Sequence, residues 1–245
     1  MFNRIIELMK IPLPKNFNPP APLKVYDYQD VTVTLFTSKM KLNQWTNEIW
    51  LQKQIVPQDW QVKKTVKDKG RSLNFVFSSG LQITIFSRRI ILILKGEYDQ
   101  VNLTQVIKNL IFYLPNYDYK RLQFIFRRVI TFPSVKYQAS QFLKEKILKG
   151  NDEKWSIAGV EPVKSQVNFC ISNTSFASPL IINISDLPVN NRKIKAKSCL
   201  LFRGIFNYKV NHNSNNSNSL PATIDDYEKI KSKFNKVIEQ KFLNK

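Results

Sequence analysis

Apolar positions along this chain recur with period two in short runs and at helical spacing between them, so the pattern alternates strands with helices. Val31, Val33 and Leu35 alternate with Thr32, Thr34 and Phe36, which puts the two sets on opposite faces of a strand. Residues 39–56 read as a helix with Leu42, Trp45, Ile49 and Gln52 on one face, a cap at Ser38 and a stop at Pro57. Strands are predicted next at Trp60–Val66, Ser72–Phe77, Leu81–Phe86 and Ile90–Lys95, with Gly70 and Ser78-Ser79-Gly80 as turns. Val101, Val106, Ile107, Leu110 and Ile111 then mark a second helix over 101–113, closed by Pro115.

The same order follows again. A long strand is expected from Tyr119 to Phe132, a helix over Tyr137–Leu148 with Phe142, Leu143 and Ile147 inward, and strands near 160–172, 179–184 and 197–206. A closing helix over 224–243 carries Ile224, Tyr227, Ile230, Phe234, Val237, Ile238 and Phe242 inward, and Asp225 and Asp226 suit its positive first turn. The fold class read from this is α+β: two successive β-α-β(n)-α units whose antiparallel sheets pack against long helices. Residues 1–24 form a Pro-rich arm, since 12–22 hold five of the 12 prolines and can form neither helix nor central strand. Residues 25–116 form the first unit, and residues 117–245 form the second, with a polar Asn/Ser loop at 211–219. No residue identity links the two halves. The order of elements is similar to helix-grip and TATA-binding-protein-like folds, a likeness of topology that carries no function with it.

Composition adds a globular core and a strong charge. An apolar fraction of 43% and an aromatic fraction of 12% across 245 residues suffice for a full core. Thirty-eight Lys and Arg against 18 Asp and Glu give a net charge of +20, and segments divided at 70 and 150 each share in it, so the charge belongs to the folded body. Nine of the basic residues are Arg, whose fork-shaped guanidinium suits phosphate better than the Lys point charge. Cys170 and Cys199 sit in apolar runs and are read as buried inert thiols. The first 15 residues are too short and too charged for a signal peptide and no run has the length of a membrane span, so a cytoplasmic location is expected.

Catalytic chemistry finds little footing. The single histidine, His212, stands in the Asn/Ser loop away from any clustered acids, and the six glycines form no phosphate-cradling loop. Glu161 and Asp186 are the acids best placed for a carboxylate-metal nuclease, without ligand spacing between them. No cofactor is implied. The informative stretch is 119–132, where alternation sets Leu122, Phe124, Phe126 and Ile130 against Arg121, Gln123, Ile125, Arg127 and Val129. A strand of this kind can deliver Arg121 and Arg127 to a phosphate backbone. Lys63 and Lys64 leading to Arg71, the Arg88-Arg89 turn, Arg192, Lys193 and Lys195 in a basic loop, and Arg203 in a late strand complete the candidate contacts. Tyr28, Trp60, Tyr113, Tyr117, Trp155 and Tyr208 are candidates to stack on bases.

A Pro-rich opening (Leu13-Pro14, Asn18-Pro19-Pro20), an Arg-led central strand (Arg121-Leu122 to Arg127-Arg128-Val129), a late apolar strand (Cys199-Leu200-Leu201-Phe202) and the terminal helix occur in that order. In this the chain resembles a sporadically distributed, uncharacterised prokaryotic family of about this length. That family has small and acidic residues in the central and late strands, where this chain has Gln123, Phe124, Arg127 and Arg203. The function expected from the residues is a non-catalytic basic protein that contacts nucleic-acid backbone, DNA or RNA, as one subunit of a larger assembly. The alternatives are a scaffold subunit with an acidic protein partner and, behind it, a metal-dependent nuclease.

Overall fold

Strands that are apolar on one side need a layer over that side, and amphipathic helices supply it. A computed structural model describes residues 27–96, 102–114, 117–132, 166–171, 178–187, 198–210 and 220–243, together with 139, 142 and 143. The protein is mixed α/β, with one nine-stranded sheet and few helices. The strands are β1 (Asp27–Thr37), β2 (Val62–Asp68), β3 (Ser72–Phe77), β4 (Gln82–Phe86), β5 (Arg89–Lys95), β6 (Tyr119–Phe132), β7 (Gln166–Ile171), β8 (Leu180–Leu187) and β9 (Ser198–Lys209). They lie in the order β2-β3-β4-β5-β1-β6-β9-β8-β7, and every pairing is antiparallel. β1 is therefore the middle strand, β6 its neighbour, and β2 and β7 the edges.

The helices are α1 (Ile49–Gln52), α2 (Leu103–Tyr113), α3 (Leu220–Asp225) and α4 (Tyr227–Val237), the last running into a π turn at Ile238–Phe242. One sheet face is predominantly apolar: Val33, Leu35, Ile83, Ile85, Leu92, Phe124 and Phe206 are fully buried. Rings from the helical layer seat on it, Tyr227 against Phe124 at 5.8 Å, Phe234 against Phe126 at 5.6 Å, and Trp50 against Phe75 at 5.0 Å. Each such side chain, fully removed from water, contributes about 1.5–3 kcal/mol. Asn102 caps α2 by accepting the Gln105 N–H at 3.0 Å, and Leu103, Val106, Ile107 and Leu110 line its buried side.

Two helical expectations need correction. Residues 39–56 make only a 3-10 turn at Leu42–Gln44 and the single turn α1. Both Trp45 and Trp50 are buried and stack at 5.1 Å, and residues five apart in a helix lie about 140° apart around its axis, so one continuous helix cannot bury both on one side. Ser38 caps no helix here; its hydroxyl accepts the Asp118 N–H at 3.4 Å. The closing helix begins earlier than expected, at Leu220, breaks at Asp226 and ends in the π turn, which brings Phe242 to Phe202 at 5.9 Å and to Phe169 at 5.3 Å.

Strands Ser72–Phe77 and Tyr119–Phe132 occupy their predicted spans, while the others shift by a few residues. Phe142 and Leu143 are buried; the arm at 1–24, the polar loop at 211–219, and most of 137–148 lie outside the described residues. Cys199 is buried as expected, but Cys170 is exposed, because it faces the side of β7 away from the core. Among the described residues no helix is long and apolar enough to cross a membrane.

Candidate nucleic-acid interface

Between the buried residues of each strand lie those that face away from the helices, and antiparallel register lines them up in rows across the sheet. At one end the row runs Phe86, Arg89, Phe36, Arg121, Lys209, over β4, β5, β1, β6 and β9. In the middle it runs Gln82, Ile93, Thr32, Ile125, Ile205, Ile181, Cys170. Toward the other end it runs Lys95, Asp30, Arg127, Arg203, Asn183, Asn168. Most members are half-buried; Arg89, Lys95, Arg121, Asn168, Cys170, Arg203 and Lys209 are exposed. The described helices all pack on the other face. This face is thus an apolar strip bordered on both sides by cations and amides.

The end row is held in place by backbone. The β2–β3 turn, residues 69–71 between the register partners Asp68 and Ser72, passes through Lys69 and Gly70 with φ of 37° and 75°, both left-handed, and the Arg71 N–H donates to the Asp68 carbonyl at 2.6 Å. In the β4–β5 turn the Arg88 carbonyl accepts from the Thr37 N–H at 3.0 Å and the Ser87 carbonyl from Met40 at 2.6 Å. The Ser38 N–H donates to the Asp118 carbonyl at 2.9 Å, tying the end of β1 to the start of β6. Arg71, Arg88, Arg89 and Arg121 therefore share one end of the sheet. The Arg121 guanidinium lies over the Phe36 ring at 3.8 Å and that of Arg89 over Phe86 at 4.4 Å, contacts worth about 0.5–1 kcal/mol each where exposed.

The second cationic row differs in chemistry. Arg127 Nε donates to Asp30 Oδ1 at 2.6 Å, and its Nη2 reaches Thr32 Oγ1 at 3.4 Å, so its charge is largely answered within the protein. Burial raises the Asp30 carboxyl above the ordinary aspartate range, an effect that Arg127 and Lys95 only partly offset. Arg203 has no hydrogen-bond or ion-pair partner among the described residues. Around these, Gln123 donates to Asn207 at 2.7 Å and Asn183 to Asn168 at 2.6 Å, cross-strand amide pairs along the face.

The structure thus brings Arg89, Arg121, Arg127 and Arg203 to one face, with Arg71 and Arg88 on its rim. Lys64 shares the face, but on edge strand β2, about 19 Å from β1 at ordinary strand spacing, with Lys63 at the irregularity beside it. Arg192, Lys193 and Lys195 lie outside the described residues, as do His212 and Glu161. Asp186 pairs in register with Leu200, and among the described residues no three His, Cys, Asp or Glu side chains gather.

The aromatic expectations fare differently. Tyr208 is buried on the helical side, where burial raises its phenol pKa, and Trp60, Tyr113 and Tyr117 pack against the core. Trp155 and the Tyr28 side chain lie outside the described residues. The rings that do occupy the face, Phe36 and Phe86, are the ones sequence reasoning passed over. Their signal was parity: each falls out of step with the buried residues of its own strand, Phe36 with Val33 and Leu35, Phe86 with Ile83 and Ile85. No protein-family model matches this chain, and no curated protein matches its sequence.

Proposed function

We propose that this chain is a non-catalytic nucleic-acid-binding protein that holds a sugar-phosphate backbone against the sheet face opposite its helices, as one subunit of a larger assembly. The observation that carries the reading is the end row, where Arg89, Arg121 and Lys209 stand in one cross-strand line, Phe36 between the two arginines, with fixed backbones on a face that no described helix covers. Arg203 adds a further cation on the same side. Sequence-independent attraction of this kind is dominated by counterion release.

The strand order also supports the two-unit reading of the chain. In the first half the opening strand β1 pairs with the closing strand β5, in the second β6 pairs with β9, and β1 pairs with β6 between them. In each half the strands after the first run from the sheet edge, β2 or β7, back inward to the strand beside that centre. Two half-sheets joined through their first strands make one nine-stranded surface suited to an elongated ligand.

The test is the affinity for a labelled oligonucleotide across a salt series. Four phosphate contacts, from Arg89, Arg121, Arg203 and Lys209, predict a slope of log affinity on log salt of about −3 for a single strand, with weak sequence preference. Absence of binding at low ionic strength would overturn the proposal.

A further inference from the structure

Backbone binding needs only cations, yet two of the five places in the end row are phenylalanine. Phe86, Arg89, Phe36 and Arg121 alternate over four adjacent strands, each the register partner of the next. Both rings are half-buried on the face away from the core, where they present apolar, planar surface rather than the polar side chains that an open face more often carries. The guanidinium groups lie over those rings at 3.8 and 4.4 Å, so ring and guanidinium form layered flat surfaces. A planar guanidinium and an aromatic ring are both groups on which a nucleobase stacks. In a duplex the base faces are taken by neighbouring bases, and only unpaired bases have them free.

We infer that this row is a stacking platform for the bases of a single-stranded nucleic acid, Arg89 and Arg121 offering their planar faces to bases and, with Lys209 and the rim arginine Arg88, their N–H edges to phosphates. The inference rests on the proposed backbone binding and specifies its ligand. Beside the platform, the next row carries Thr84, Gln123 and Asn207, whose hydroxyl and amide groups stand where the edges of stacked bases would fall. Stacking accepts every base, so sequence preference stays weak.

The experiment compares three ligands of equal length: oligothymidine, an abasic oligomer with the same backbone, and a mixed-sequence duplex. Oligothymidine should bind at least about tenfold more tightly than the abasic oligomer, since stacking is worth about 1–3 kcal/mol per base. The double variant Phe36→Leu/Phe86→Leu, checked for an unchanged thermal transition, should lose about tenfold or more on oligothymidine and nothing on the abasic oligomer. A second variant, Phe36→Trp, should show fluorescence quenching with oligothymidine, above that of the parent protein, and none with the abasic oligomer. Equal affinity for the abasic and thymidine oligomers, tighter binding of the duplex, or indole fluorescence in the Phe36→Trp variant that oligothymidine quenches no more than in the parent would overturn the inference. Failure of the underlying reading looks different: none of the three ligands then binds in a salt-sensitive way.

Discussion

Arg127 and Arg203 are register partners on β6 and β9, yet one is held by a carboxylate and the other is not. Asp30 therefore sets how much positive charge the face presents. Replacing it, Asp30→Asn, should raise affinity for an oligonucleotide severalfold at neutral pH by freeing about one phosphate contact, and should steepen the salt slope by about 0.7–0.9; titrations at two salt concentrations read both. The same variant has a signature in stability. A carboxyl whose folded pKa lies above its unfolded value of 3.8 binds its proton more readily in the folded state, so its contribution favours folding below that window and is lost as pH rises through it. Denaturant midpoints from about pH 3.5 to 6 should show this downward slope in the parent and a flatter profile in Asp30→Asn. Arg128, one residue from Arg127, has the opposite assignment. It points to the helical side, is 4% exposed and bonds Glu239 in the π turn at 3.1 Å, so it belongs to the core rather than to the binding face. Strand parity alone separates the two.

At the scale of elements, β9 is shaped by what lies across it. Gly204 interrupts an otherwise bulky strand because the Phe234 ring of α4 rests where its Cβ would be. Gly204→Val should force that ring away and cost about 1–3 kcal/mol, seen as a lowered denaturant midpoint, while Arg203 beside it keeps its outward direction. A variant as stable as the parent would mean that α4 does not seat there. The sequence made β3 and β6 legible from end to end because their alternation is uninterrupted. It did not make the segment 39–56 legible, since a 3.6-residue period through Leu42, Trp45 and Ile49 says nothing about Trp50, whose burial beneath Trp45 breaks the helix. The π turn at the C-terminus was hidden for a similar reason: its cause is the fit of Phe242 and Glu239 to distant strands. Phe36 and Phe86 were visible in the alternation, but their meaning required the cross-strand register that sets them beside Arg121 and Arg89.

For the whole molecule, a net charge of +20 opposes compactness by self-repulsion, and a folded chain tolerates it best when an anion answers part of it. What matters for function is the direction of the charge as well as its size. Lys229 and Lys236 are exposed on α4, on the helical side, whereas Arg121 and Arg203 are exposed on the opposite face. The alternation in 119–132 set Arg121 and Arg127 opposite the apolar residues of the strand, but no sequence pattern could assign Arg203 or Arg89 to the same face, because strand order decides that. A charge-matched comparison tests the account most directly. The variants Arg121→Glu/Arg203→Glu and Lys229→Glu/Lys236→Glu change net charge equally on opposite sides of the protein. Measured against one labelled single strand at fixed low salt, the first should lose at least about tenfold in affinity and the second no more than a few-fold. Equal losses would mean that net charge alone drives binding, and a larger loss from the α4 pair would place the contact surface on the helical side, contradicting the account.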